Sequence, residues 1–312
     1  MFCIVSFLIL AVVGIFNASC RELAREAWSC VFRRVTLRPC TTGFDERMKS
    51  RILGSVINRS ETAARFLSRN FELLSWTMFV LMAASTLFAA RGIYLFYVTG
   101  SCSGSSEASF CLFDPKGENS KVSSAIAGCP VKPVTVKDLT LKGVNLAAFP
   151  TVKAAGKKRV VLIGCYGCQY SRKIYWDVKQ LARDNDASLT FLDYPVKVKT
   201  NLMTRLALCT YQHDPEKYWQ LNDRLFKAAV TDLDDPAFAG RLIAELGLDP
   251  AETNRCLNDP ATEGAVSRQM DEVNKTNFFG TPTVFIDDKP FVGPKPHRVY
   301  AISMNGVLYW LH

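Results

Sequence analysis

The chain is 312 residues long, with 38 Lys/Arg against 29 Asp/Glu, eleven cysteines and three histidines. That length gives room for about two domains. One C-x-x-C and three scattered histidines (His213, His297, His312) argue against a metal site, and a basic excess with no aromatic interleaving and no helix-turn-helix pattern argues against nucleic-acid binding.

Residues 2–18 (FCIVSFLILAVVGIFNA) are apolar, carry no charge and are just long enough to span a bilayer. No Lys or Arg precedes them, so the basic n-region of a signal peptide is missing; a cleaved segment is the competing reading. Residues 20–72 hold 11 Lys/Arg against 6 Asp/Glu, a net of +5 in a short stretch between two apolar runs. Such a loop is expected on the cytoplasmic side. Within it, residues 45–71 show helical spacing of apolar side chains (Ile52, Val56, Ile57, Ala63, Phe66, Leu67).

Residues 73–98 form the stronger candidate span. LLSWTMFVLMAASTLFAA runs to Ala90, Arg91 interrupts, and GIYLFYV continues, with Tyr94 and Tyr97 placed as interfacial anchors and Arg91 able to snorkel. With two spans and a cytoplasmic loop, both chain ends face the other side, which is the periplasm in a Gram-negative cell. Residues 99–130 then change to Gly, Ser and charge, which reads as a linker. It carries Cys102, Cys111 and Cys129, so one is left over if they pair among themselves. The sequence divides into a membrane region (1–98), this linker, and a C-terminal domain (131–312).

In that domain Lys157–Ile163 (KKRVVLI) is a β-branched run predicted as a buried strand. Cys165-Tyr166-Gly167-Cys168 follows, and Ile174, Val178 and Leu181 then recur at helical spacing. Residues 188–196 are predicted as a second strand. From Thr200 to about Asn277 the apolar pattern is helical in four pieces, the last opened by Pro260. Gly280-Thr281-Pro282 leads into a strand at 283–286, a turn at Asp287-Asp288, a return strand at 290–292 and a closing helix over 294–305.

Residues 131–305 resemble the DsbA-like branch of the thioredoxin superfamily. Three stretches carry the resemblance: GCYGCQYSRKIY, LALCTYQHDPEKYWQLNDRLF and FFGTPTVFIDDKPFVG, in that order. It implies an α/β thioredoxin-like fold with a helical insertion, preceded here by transmembrane helices. It also implies thiol–disulfide exchange without a cofactor. Pro282 is then expected to be cis and to pack against the cysteines, with the backbone of Thr281 offered to an extended substrate strand.

A cysteine at a helix N-terminus is favoured as thiolate by unpaired N–H groups and the helix dipole. That argument assigns Cys165 as the attacking thiolate and Cys168 as the resolving thiol. Eleven cysteines are many for a reduced cytosolic protein. Cys209 and Cys256 share the helical insertion of a domain read as exported, so a structural disulfide between them is expected, against the alternative of two buried apolar thiols.

The sequence also departs from the family. Tyr166-Gly167 replaces the proline- or histidine-containing pairs of strongly oxidising members, Gly164 stands where a bulky residue is frequent, and Lys157–Ile163 holds no acid. The potential is therefore open between about −270 and −120 mV. The expected partners are exported proteins with thiols or disulfides and a membrane redox protein, with no metal and no nucleic acid. The competing reading is a non-catalytic thioredoxin-fold interaction module of a membrane assembly.

Overall fold

The structure, a computed structural model, describes isolated positions before residue 61 and then residues 61–104, 110–124, 135–196 and 201–311. The apolar run 2–18, most of the basic loop, Cys129 and His312 lie outside the described residues. The chain divides into two compact units, Met1–Arg91 and Gly92–His312.

The first unit holds α1 (Glu61–Arg69) and most of α2 (Phe71–Thr99). Along α2, Trp76–Thr99 is the one stretch among the described residues long and apolar enough to cross a membrane. Its 24 residues rise about 36 Å against a hydrocarbon core of about 30 Å. The hydroxyls of Thr77 and Thr86 donate to the carbonyls of Leu73 and Met82, four residues back, so neither presents an unsatisfied donor. Leu87 and Phe88 stand 72% and 71% exposed, which no water-facing helix would favour.

In the second unit a five-stranded sheet has the order β2-β4-β3-β6-β7, built from β2 (Thr151–Val152), β3 (Arg159–Gly164), β4 (Ser188–Asp193), β6 (Thr283–Ile286) and β7 (Lys289–Val292). A separate two-residue pair joins β1 (Ser123–Ser124) to β5 (Gly280–Thr281). Central β3 runs parallel to β4 and antiparallel to β6. Its side chains alternate between two cores. Val160 and Leu162 pack with the helical side, and Val161 and Ile163 pack with Leu139, Leu141, Phe149 and Phe278. Burial on both faces is what the unbroken apolar run encodes.

Helix α3 (Gln169–Asp184) follows β3 and buries Ile174, Tyr175, Val178 and Leu181. Between β4 and β5 come α4 (Asn201–His213), α5 (Pro215–Lys227), α6 (Pro236–Glu245), α7 (Pro250–Asn258) and α8 (Pro260–Asn274), and α9 (His297–Asn305) closes the chain. Four of these starts share one chemistry. Asp214, Asp235, Asp249 and Asp259 each cap a helix through a side-chain oxygen, with proline in the first turn. The aspartate satisfies an orphan N–H, and the proline lacks the N–H that would otherwise be orphaned. Cys209 of α4 and Cys256 of α7 are joined by a disulfide.

Boundaries differ from the sequence reading where a local bond intervenes. The second strand ends at Asp193, short of residue 196: the Tyr194 N–H makes the last ladder bond, to the carbonyl of Gly164 where β3 ends, and Pro195 has no N–H to offer. The last helix starts at His297 rather than 294, after Pro296 at its cap.

Candidate active site at the end of strand β3

The C-x-x-C lies where β3 gives way to α3. Gly164 ends the strand, and a side chain there would lie 2.8 Å from the Phe191 ring. The ring already fills the place of the bulky residue expected at this position. The turn closes with the Cys168 N–H on the Cys165 carbonyl at 3.1 Å, and the Cys165 N–H donates to the Ser171 hydroxyl at 3.3 Å. Cys168 is the N-cap of α3, three residues after the thiol that the sequence reading set at the helix start. Both cysteines are fully buried.

Tyr166, the unusual member of the dipeptide, points inward. Its hydroxyl donates to Asn222 Oδ1 at 2.8 Å, and its ring packs against Phe191 and Phe226. Burial raises its hydroxyl well above the usual phenol range. Asn222 in turn donates to the Tyr175 hydroxyl, which donates to Asp223. Tyr166 thus ties the C-x-x-C turn to α5, and its side chain is committed to packing there.

Three groups meet Cys168. Its Sγ lies 3.1 Å from Ser123 Oγ and 3.4 Å from the Thr281 carbonyl oxygen, and Ser171 stands nearby. Burial alone would raise this thiol, but hydrogen bonding, from Ser123 first, outweighs it and holds the thiol below its ordinary value. Thr281-Pro282 is a cis peptide bond, so the Thr-Pro turn faces the second cysteine.

Arg172 stands one turn into α3. It donates to the Tyr166 carbonyl at 2.7 Å and to the Ala228 carbonyl. Burial lowers its pKa while attraction to Cys165 pulls the other way, so a cation stands within electrostatic reach of the first cysteine. Sequence reasoning quoted Ser171 and Arg172 within the stretch GCYGCQYSRKIY, after the C-x-x-C, and gave neither a role. It missed Ser123 altogether, 45 residues before Cys168. Cys209 and Cys256 are joined within the helical block and contribute no group to this constellation.

No acid lies in β3, yet one lies beside it. Asp193 pairs with Gly164 across the parallel ladder. The residue is half-buried with Oδ1 out of reach of solvent, and desolvation pushes its carboxyl up to about 7 against the pull of the Thr204 hydroxyl, 2.6 Å from Oδ2. Oδ1 has no hydrogen-bond partner among the described residues and borders a void of about 20 Å³, room for one water molecule. An acid whose folded pKa is raised contributes stability that is full below its unfolded value, near pH 4, and lost as pH rises through about 7. Asp193→Asn is therefore expected to be more stable than the wild type at pH 8, with the gap narrowing toward pH 5. Denaturant titrations at the two pH values measure this, and parallel pH profiles would contradict it.

The sheet order, the strand–turn–helix cysteines and the cis Thr-Pro turn define a thioredoxin-like fold of the kind found in DsbA-like thiol–disulfide oxidoreductases. The chain matches the family described as the DSBA-like thioredoxin domain over residues 143–301, about half its length, and belongs to that family. Among solved structures it is similar to the thiol-disulfide exchange protein alpha-DsbA2 of Wolbachia pipientis at 23% identity, covering 50% of this chain and 85% of that one, with a TM-score of 0.44. BdbD of Bacillus subtilis, in its oxidised form, matches at 18% identity over 53% of this chain and 95% of its own, with a TM-score of 0.47. A periplasmic thioredoxin-like protein of Salmonella enterica serovar Typhimurium matches at 17% over 53% and 91%, with a TM-score of 0.44. An uncharacterised Mycobacterium tuberculosis protein is 35% identical over 60 residues, 19% of this chain. The match spans about a quarter (26%) of that curated relative's length.

Proposed function

We propose that the chain is a membrane-anchored thiol–disulfide oxidoreductase that exchanges disulfides with exported proteins through Cys165 and Cys168. One observation carries this reading: two buried cysteines stand at the start of α3, and the second of them, Cys168, places its Sγ 3.4 Å from the Thr281 carbonyl of the Thr281-Pro282 turn. Cys165 is the attacking thiolate, with Arg172 in electrostatic reach, and Cys168 resolves the mixed disulfide. Thr281 and Pro282 form the edge on which an extended substrate segment lies. Trp76–Thr99 anchors the chain in the bacterial inner membrane, and the C-terminal domain is extracytoplasmic. Electrons pass to or from a membrane redox partner, and no cofactor takes part.

The test is exchange by the purified full chain in detergent between oxidised glutathione and a dithiol peptide, which becomes a disulfide as two reduced glutathione molecules are released. Catalysis above the uncatalysed rate is expected, as is retention of the chain in membranes washed at alkaline pH. A chain without exchange activity would remove the reading. The zero exposure of both sulfurs favours a second reading, a thioredoxin-fold interaction module of a membrane assembly. That reading gains if the assembly survives the double change Cys165→Ser, Cys168→Ser.

A further inference from the structure

The segment Asn119–Ser124 takes no part in the five-stranded sheet, yet it lies on the edge that a substrate strand would use. β1 pairs antiparallel with β5, Ser123 opposite Thr281 and Ser124 opposite Gly280. We infer that this segment is a built-in occupant of the substrate edge, and that the site stays closed until an extended polypeptide displaces it. The identity of that edge rests on the oxidoreductase reading.

Close approach of the backbones supports the inference. A Cβ on Gly280 would stand 2.6 Å from Val122 Cγ2 and 2.8 Å from the Ser123 carbonyl oxygen. A Cβ on Gly293, where φ is +82°, would stand 2.7 Å from the Ser120 carbonyl carbon. Glycine on both flanks admits the segment at a distance that a side chain would block.

The segment is also held from several sides. Lys295, 3% exposed, donates from Nζ to Ser120 Oγ at 3.2 Å. Asn119 Nδ2 donates to the Gly100 carbonyl at 3.1 Å, and Asp114 accepts from the N–H groups of Glu118 and Asn119. Val122 packs against the second core. The Cys102–Cys111 disulfide closes the chain just before it, which keeps the occupant close to the edge it covers.

The result is visible at the thiols. Ser123 Oγ is 3.1 Å from Cys168 Sγ, and neither cysteine has exposed surface. A substrate must break the β1–β5 pairing and the Ser123–Cys168 contact together, so its apparent affinity is reduced by the fraction of molecules with the segment in place.

The test is the rate at which iodoacetamide labels the Cys165–Cys168 peptide of the reduced full chain in detergent, followed by mass spectrometry. Val122→Asp, which expels the segment from the core, is expected to raise the rate about tenfold or more. Ser123→Pro, which removes both the hydroxyl and a backbone N–H, is expected to do the same. Thermal melting of both variants establishes that the domain remains folded. Wild-type labelling as fast as in either folded variant would overturn the inference. Labelling reads access and thiolate fraction and needs no exchange with a substrate; loss of the Ser123 hydroxyl removes a bond that favours the Cys168 thiolate, so faster labelling of Ser123→Pro reports access. Slow wild-type and fast Val122→Asp labelling without exchange activity in either would remove the oxidoreductase reading and uphold the built-in occupant.

Discussion

Cys165→Ser is expected to reduce disulfide exchange by about 10³-fold or more, the scale on which loss of a nucleophile shows. Cys168→Ser is expected to behave differently. In the reducing direction the Cys165 thiolate attacks a substrate disulfide, one substrate sulfur leaves as a thiolate, and the other stays bonded to Cys165. The Cys168 thiolate then attacks Cys165 Sγ, closes the Cys165–Cys168 disulfide and releases the second substrate thiolate. Without Cys168 the mixed disulfide has no such exit. The Cys168→Ser chain should therefore accumulate as covalent adducts, resolved by non-reducing electrophoresis and abolished by the additional change Cys165→Ser. Equal activity in wild type and Cys165→Ser would refute the assignment of roles.

Loss of the Cys209–Cys256 bridge is expected to be the largest stability effect of any small change in the domain. The two cysteines are 47 residues apart and tie α4 to α7. Closing a loop of that length removes about 4 kcal/mol of unfolded-chain entropy, and measured effects of native bridges run at about 2–5 kcal/mol. The double change Cys209→Ala, Cys256→Ala should lower the melting temperature by roughly 5–15 °C. Because the bridge supplies no group to the C-x-x-C turn, exchange activity at low temperature should survive. A melting point within about 2 °C of the wild type would show that the helical block does not depend on the bridge.

Some of this architecture could be read from the residues and some could not, and the difference lies in the range of the interactions. The β-branched run before Cys165, the cysteine spacing and the Thr-Pro pair are local signals, and β3, α3 and the Thr281-Pro282 turn follow them closely. The ends of the helical block were also written locally, in four Asp-Pro pairs, of which the sequence reading used only Pro260. β1, β2 and β5 have two residues each, too few for any periodicity to appear. Asp193 escaped notice because the acid lies on β4, a neighbour in space of the strand where an acid was sought. Ser123 escaped because its contact with Cys168 crosses 45 residues of chain. The signal for that contact lay elsewhere, in the glycines at 280 and 293 that let another backbone approach.

Tyr166 makes the same point at the centre of the site. On sequence grounds the residue between the cysteines is expected to tune the thiols. Here its side chain is committed to Asn222, Phe191 and Phe226 in the core. Hydrogen bonds to Cys168 come from Ser123 and Ser171, and positive charge near Cys165 comes from Arg172. The surroundings of the two sulfurs are thus assembled from distant segments and from the first turn of α3.

Cys165 and Cys168 are expected to form one reversible redox couple. Equilibrating the full chain in detergent with glutathione buffers, and quantifying the Cys165–Cys168 disulfide by mass spectrometry, tests it most directly. A single two-electron transition is expected at a potential between about −270 and −120 mV. The oxidising end would mark a disulfide donor, and the reducing end a reductant fed across the membrane. A pair that forms no disulfide at any glutathione ratio would mean that Cys165 and Cys168 are not a redox couple.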